Sequence, residues 1–492
     1  MPQVDQRQIL GQPSFGICSD RSRPSATTRP QSGDRGEYMK SLPVDRRLAG
    51  PSPVSDHQLS LLDLPSIPVL EACIRCGLCL SVCPTYRPTQ VETKSPRGRI
   101  ALVKNLVEGG LDLTDRDFIG HMDLCLQCMA CHTVCPTGIS AGEVVARAKS
   151  YLRANAQPGR VQRWARSVIY TGLFPHYRRM ELVALPILAY HHSGAQKLAR
   201  RMGLTRLLPS RLRRMEELLP TRLAAPLRPR LPKRVQARGS RRAEVAFHLT
   251  CINNIVLPEA SAASVRVLAY NGCAVRTPEG VACCGAPHET DGEMETARKL
   301  ARHNIALYEQ LGSLPVISDA AACGAAMKNY GHWLAGDPIW AARAAAFSAR
   351  VRDIHQYLFA LGLRPPTGEL RRTVTYDDPC HLCHAQGISA QPRALLRAIP
   401  GIRYVELRDA AWCCGSAGTY NLSQPAMADA ILEEKMARIR ETGATVIASA
   451  NPGCLMQLEA GLRRFGIPGR VVQVSQLLDE SYRKGAARGA SS

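Results

Sequence analysis

The sequence predicts a multidomain α/β protein: a small helical domain near the start of the folded region, then a tandem repeat of α/β cysteine-rich domains. Three observations carry this. Four cysteines within eleven residues, Cys73 to Cys83, recur with the same spacing at Cys125 to Cys135. A different cysteine pattern, centred on Cys-Cys-Gly, repeats at about 130 residues in the second half of the chain. Strand-like and helix-like segments alternate around each copy of that second pattern, as they do in parallel sheets with helical cover.

The chain has 492 residues, 45% of them apolar, enough for three or so domains with cores of their own. Aromatics, at 5%, are too sparse to argue for stacking of nucleic-acid bases. The net charge of +22 is concentrated: Tyr151 to Arg242 holds 21 Lys/Arg against Glu181, Glu216 and Glu217, which supplies +18 of it. Residues 1–60, rich in Arg, Ser, Pro, Gln and Asp, predict a disordered tail. Gly36-Glu37 shortly before Met39 suggests a ribosome-binding sequence and a start at Met39; a natural disordered tail is the equal alternative. The first residues lack the basic-then-apolar pattern of a signal peptide. The longest apolar run near the middle, Leu182 to Tyr190, has nine residues, against the ~20 that span a bilayer. The expected setting is a reducing cytoplasm, where clustered cysteines more often bind metal than each other.

The first motif reads Cys73-x2-Cys76-x2-Cys79-x3-Cys83-Pro84, and its copy Cys125-x2-Cys128-x2-Cys131-x3-Cys135-Pro136. Three thiolates at this spacing can wrap one face of an iron–sulfur cube. A fourth cysteine followed by proline leaves at a turn, and in two-cluster ferredoxins it ligates the other cluster. The expected sets are Cys73, Cys76, Cys79 and Cys135 for one [4Fe-4S] cluster, and Cys125, Cys128, Cys131 and Cys83 for the second. Zinc ribbons use two CxxC pairs and rarely close with Cys-Pro. Between the ladders, Ile100, Leu102, Val103, Leu106 and Val107 form a helical stripe, so the insert reads helix, loop, helix and residues 61–150 as a helical two-cluster ferredoxin domain. Arg97 and Arg99 are expected to hold the loop rather than to face a cluster.

The second pattern places Cys283-Cys284-Gly285 and Cys413-Cys414-Gly415 in equivalent positions. Each pair has a cysteine upstream, Cys251 and Cys380, with 31 and 32 residues between, and one downstream, Cys323 and Cys454, with 38 and 39 between. A strand-like run precedes the first cysteine, a helical run follows the pair, a strand delivers the last cysteine, and a further strand and helix close each copy. The predicted domains are 243–365 and 366–485. Thiols that are distant in sequence but lie at strand ends can converge at one sheet edge, and glycine lets the chain bend after the pair. Two readings stay open: a metal or redox centre in each copy, or a degenerate repeat whose thiols are structural or form a transient disulfide.

Taken together, the two CxxCxxCxxxCP ladders and the paired CCG domains resemble the iron–sulfur subunit of bacterial glycolate oxidase. The shared words are "SPRGRI" (Ser95–Ile100), "CCGSAGTY" (Cys413–Tyr420) and "ANPGC" (Ala450–Cys454), and the resemblance runs from about Leu62 to Tyr482. It implies that glycolate is oxidised to glyoxylate on FAD-bearing flavoprotein subunits. This subunit would then carry the electrons through two [4Fe-4S] clusters towards a membrane quinone or another acceptor. Relatives are the iron–sulfur subunits of lactate-utilisation and anaerobic glycerol-3-phosphate dehydrogenases, and heterodisulfide reductase. The CCG motif of heterodisulfide reductases ends in CxxC; here the endings are Cys323-Gly-Ala-Ala326 and Cys454-Leu-Met-Gln457. That departure argues against disulfide-reducing chemistry, and leaves a further cluster in the CCG domains, or an interaction module, open. Cys273 and Cys383 are extras at unmatched positions, with Cys383 close enough to assist. His132, His381 and His384 flank cysteines and are expected to be structural more often than ligands.

Residues 151–242 read as a basic helical connector. Leu, Ile and Val mixed with arginines at helical intervals fit a helix lying peripherally on an anionic membrane or docking acidic partners. An interdomain packing element with a solvated basic face is the preferred reading, since Pro186, Pro209, Pro220, Pro226, Pro229 and Pro232 should break any long helix. Nucleic acid is not an expected partner, because basic charge without a recognition motif gives only non-specific affinity.

Overall fold

In the computed structural model, residues 64–155, 159–220 and 231–489 are described. The predicted tail, Met39, Pro226 and Pro229 lie outside them.

The first domain is helical, as its stripe predicts. Helix Pro96–Val107 starts at Ser95, whose hydroxyl accepts the Gly98 amide at 3.0 Å, with Pro96 at the first helical position, where its missing N–H costs nothing. This gives "SPRGRI" its local meaning. A Cβ at Gly98 would stand 2.0 Å from the Glu92 carbonyl oxygen, so only glycine fits there. Helix Arg116–Asp123 follows, capped by Asp115. Helix Ala141–Asn155 closes the domain, burying Val144, Val145, Ala148 and Leu152 against Ile100, Val103, Phe118 and Met122.

In the connector, helix Tyr177–His192 runs through Pro186, contrary to the expectation that this proline ends it. Proline deprives the carbonyl four residues earlier of a partner, and that carbonyl belongs to Leu182, which is 64% exposed, where water can replace the lost donor. No helix among the described residues is long and apolar enough to cross a membrane.

The second half contains two sheets of the same strand order. In the first, β1 (Arg234–Val235), β2 (Ala243–His248), β3 (Cys273–Arg276), β4 (Val316–Ser318) and β5 (Val351–Asp353) are ordered β1-β3-β2-β4-β5. Only β1, from the end of the connector, is antiparallel. In the second, β6 (Arg372–Tyr376), β7 (Ile402–Tyr404), β8 (Val446–Ser449) and β9 (Arg470–Gln473) lie in the order β7-β6-β8-β9, all parallel. Strands buried on both faces read as continuous apolar runs, which is how "EVAFH" and "TVIAS" look. The predicted α/β tandem repeat after a helical ferredoxin-like region is the observed fold class.

The two repeats share one core. Val245, Phe247 and Ile317 of the first pack in the same apolar cluster as Val374, Tyr376, Leu477 and Leu478 of the second. Across this seam helix Val474–Gly489 lies on helix Pro258–Tyr270. The Arg266 guanidinium donates to both Asp479 oxygens at 2.9 and 2.8 Å, Ser264 meets Ser475 at 2.8 Å, and Tyr270 stacks on Tyr482 at 4.8 Å. Asp479 is 4% exposed and Arg266 29%. Arg266→Met strands the carboxylate, and Arg483 at 3.6 Å replaces the lost partner only in part. The expected cost is about 2 kcal/mol, less than for a fully buried pair, read as a lowered urea midpoint. An unchanged midpoint would show that the seam does not depend on this pair.

Candidate functional site

Each ladder wraps a cavity. In the first, the residues on either side of the second cysteine, Arg75 and Gly77, have positive φ; in the second, Gln127 and Met129 do. For a side chain other than glycine this conformation costs on the order of 1 kcal/mol, and three of these four residues bear it. Alternating left- and right-handed turns point successive amides into a concavity that suits an anion. The Pro96–Val107 and Ala141–Asn155 helices begin beside these loops, and the amides of Arg97 and Gly142 reach the thiols of Cys79 and Cys131, adding the positive end of the helix dipole.

One cavity is lined by Cys73, Cys76 and Cys79 together with Cys135, the other by Cys125, Cys128 and Cys131 together with Cys83. Cys131 touches both, so the cavities are neighbours. Among the described residues no three His, Cys, Asp or Glu side chains converge tightly enough for a single ion; the thiols ring a wider space. Thr85 hydroxyl lies 3.3 Å from the Cys83 sulfur, and Thr137 hydroxyl 3.3 Å from Cys135, so each Cys-Pro turn carries the same supporting hydroxyl. Arg97 donates to the Arg75 carbonyl at 3.0 Å. Arg99, 2% exposed, donates to the His121 carbonyl at 2.9 Å and to Thr85 at 3.0 Å. Both arginines hold loops, and both also line cavities. Burial pushes Cys79 up, Cys131 up to about 12 and Cys128 well up. At Cys135, burial is outweighed by hydrogen bonds from Thr137, Ile139 and Gly138, which bring the thiol down.

The four cysteines of each repeat also converge. In the first, Cys251 hydrogen-bonds Cys283, and Cys284 hydrogen-bonds Cys323. In the second, Cys380 meets Cys413, and Cys414 meets Cys454 at 3.3 Å. The outer cysteines differ from expectation in one respect: they lie in the helices that follow the strands, Cys251–Val256, Ala321–Lys328, Cys380–Gln386 and Pro452–Arg464. Cys273 lies apart, in β3, with Tyr357 as its partner. Cys383 lies in the same helix as Cys380, its sulfur 3.8 Å from the Cys380 carbonyl oxygen. His381 Nδ1 is 3.4 Å from the Cys380 sulfur, His384 Nδ1 is 3.0 Å from Thr133 Oγ1, and His132 lines a separate surface cavity.

Beneath the tetrads the repeats diverge. In the first, Asn304 accepts from the Ala282 amide at 3.0 Å and donates to the Cys283 carbonyl at 3.1 Å. In the second, Lys435, fully buried, donates to the Ala410 and Trp412 carbonyls at 2.7 and 2.9 Å and pairs with Asp377 at 2.6 Å. A neutral amide and a cation thus hold the same turn. All four thiols of the first tetrad stand above the ordinary range, Cys251 through its hydrogen bond to Cys283 and then burial. In the second, Cys414 is held well below it by hydrogen bonds from Cys413 and Cys454, with the Ser416 amide and Lys435 assisting. No local pattern singles out Lys435, a lysine in an amphipathic helix.

The second ladder meets the second tetrad directly. Leu126 and Cys128 pack with Trp412 and Cys413, with Cys380 at the edge. Arg87 stacks over Trp412 at 4.4 Å and pairs with Glu434, and the Tyr420 hydroxyl donates to the Leu124 carbonyl at 3.1 Å.

Against known proteins, residues 69–139 match the 4Fe-4S dicluster domain, 161–219 the linker region of the glycolate oxidase iron-sulfur subunit, and 245–328 and 374–459 the cysteine-rich CCG domain. The probable glycolate oxidase iron-sulfur subunit of Bacillus subtilis (strain 168) is 38% identical over 414 residues, covering 83% of this chain and 93% of its own. The chain belongs to the glycolate oxidase iron–sulfur subunit family. The subunit of that name in Escherichia coli (strain K12) is 28% identical over 84% of this chain and 95% of its own. Lactate utilization protein A of an Exiguobacterium strain is 30% identical and covers 49% of this chain. In this family member, Lys435→Met leaves Asp377 buried without its counter-charge, at an expected cost of about 3–5 kcal/mol. Asp377→Asn combined with Lys435→Met should recover much of that loss in urea unfolding. A double variant no more stable than the single one would show that Lys435 does not act by balancing charge.

Proposed function

We propose that the chain is the electron-carrying subunit of a glycolate oxidase. It takes electrons from flavoprotein subunits that oxidise glycolate to glyoxylate, and passes them towards a membrane quinone. The observation that carries this reading is the crossing of the ladders: the fourth thiol of each lines the cavity of the other. Cys73, Cys76, Cys79 and Cys135 hold one [4Fe-4S] cluster, and Cys125, Cys128, Cys131 and Cys83 the second. Bound there, such clusters exchange single electrons at potentials set by charge, hydrogen bonds and burial.

The chain's own part is to shape that environment. The left-handed turns aim amides inward, Thr137 donates towards the Cys135 sulfur, Thr85 ties the Cys83 turn to the Lys94 carbonyl at 2.8 Å, and the seam around Trp412 keeps water from Cys128. The second tetrad, across that seam, is the next station, and Lys435 supplies positive charge beneath it. The glycolate reading is preferred to a lactate-oxidising one because the family match spans 83% of the chain, the lactate-utilisation match 49%. Peripheral attachment to the inner face of the membrane is supported by the connector, where Val161, Trp164, Leu182, Val183 and Leu207 stand 54–81% exposed among the arginines.

Because the thiols must lose protons to bind iron, and burial holds Cys131 near 12, reconstitution should weaken as pH falls. Protein purified without oxygen should hold about eight irons in the ladders. Cys76→Ser and Cys128→Ser should each remove or alter one cluster's paramagnetic signal, and glycolate added to the assembled complex should reduce the remainder. A spectrum unchanged by both substitutions would overturn the assignment.

A further inference from the structure

The internal repeat points to a site of its own. Cys251 corresponds to Cys380 and Cys283 to Cys413, so Leu249 and Ala282 occupy the places of Asp378 and Trp412. In the second repeat the face beside Trp412 is filled by the second ladder, through Leu126 and Cys128. In the first repeat the same face meets one aromatic side chain from the connector: Tyr177, whose hydroxyl donates to the Leu249 carbonyl at 2.6 Å. Beside Tyr177 lies a cavity of about 910 Å³, with Leu249, Val281, Ala282, Leu231 and Leu300 among its walls, at the upper end of the size usual for small-molecule sites. Its floor is one residue from Cys283 and two from Cys251. Tyr177 lines the cavity and also packs against the apolar cluster that holds Cys251, Cys283, Cys284 and Cys323, so the ring touches both the cavity and the tetrad.

Two further features narrow the ligand. The cavity is edged by Arg178, Arg179, Lys233 and Lys299 together with Glu181 and Glu279, the last paired with Lys233 at 3.0 Å, which leaves the rim with a net positive charge. The helix that supplies Tyr177 exposes Leu182 and Val183, at 64% and 54%, one turn from those arginines, a pattern suited to an anionic lipid surface. The first tetrad is also joined to the second: helix Ala321–Lys328, which carries Cys323, lies on helix Cys380–Gln386, and Gln386 donates to the Ala321 carbonyl at 2.9 Å.

We propose that this cavity is the exit site, binding a tailed quinone against Tyr177, Leu249 and Ala282. The assignment rests on the electron-carrier reading above and adds where the carrier discharges. The quinone takes two electrons, supplied one at a time by the reduced iron–sulfur clusters of the electron-carrier reading and arriving on the side of Cys251 and Cys283, and two protons from water at the open rim. It leaves as quinol, with no bond formed to the protein.

The test uses the full chain purified without oxygen, with decylubiquinone as probe. Binding is read by titration calorimetry, and location by mass spectrometry after photolabelling with an azido-quinone. Ala282→Trp, which installs the residue the second repeat has there, and Thr296→Trp, at the half-exposed rim, should each weaken binding at least about tenfold while leaving the iron–sulfur absorbance intact. If Ala282→Trp does not fold, Thr296→Trp carries the test. Labels on the Tyr177 helix and around Ala282 are expected. Affinity unchanged in the rim variant, labels elsewhere, or displacement by ADP in place of a quinone would overturn the site. Missing iron–sulfur absorbance would instead overturn the electron-carrier reading, which the iron content reports separately.

Discussion

Two sulfur-bearing faces meet at one buried seam, and the placement of the other parts follows from it. Cys128 and Leu126 on one side, and Trp412, Cys413 and Cys380 on the other, are separated by about 280 residues of chain yet share an apolar cluster. Sulfur is a weak hydrogen-bonding partner, so such a contact is held by what surrounds it. The clamps are polar and lie at the edge: Arg87 on Trp412 and Glu434, Tyr420 on the Leu124 carbonyl, Gln127 and Lys149 on the Thr290 carbonyl at 3.2 and 3.3 Å. Thr290 belongs to the first repeat, so the ladder domain touches both. Apolar burial at the centre excludes water, and the low dielectric there makes every nearby charge and dipole count for more.

The same logic explains why two copies of one repeat are not interchangeable. Each places two thiols on one turn and two in the helices that follow its strands, and Gly285 and Gly415 follow the Cys-Cys pairs at φ 88° and 83°, a backbone that glycine adopts without strain. Asn304 satisfies the turn in one copy without adding charge; Lys435 and Asp377 satisfy it in the other with an ion pair. The copy that carries the cation is the one against the ladder. The copy without it faces the connector through Tyr177 and a cavity. A duplicated scaffold has thus been specialised by changing what lies behind and beside the thiols, with the thiols kept.

Much of this was legible in the sequence, because ladder spacing, Cys-Pro closure and the strand–helix alternation are local patterns. The expectation that Cys83 and Cys135 cross came from the pattern of two-cluster ferredoxins, and each lines the cavity of the other ladder. What stayed hidden depends on distant partners. Lys435 looks like any helical lysine until Asp377 is brought to it from 58 residues away. Tyr177 looks like an ordinary connector residue until its hydroxyl finds Leu249. Pro186 sits inside its helix because its cost depends on whether water reaches the orphaned carbonyl. The outer cysteines, expected at strand ends, lie a turn further on, in the first turn of the helices that follow.

The most direct measurement is an iron-edge anomalous difference map from crystals grown without oxygen. The account predicts two separate iron positions in the ladder domain, one bounded by Cys73, Cys76, Cys79 and Cys135, the other by Cys125, Cys128, Cys131 and Cys83. Iron bounded by the four consecutive cysteines of a single ladder, or no iron between these thiols, would contradict it.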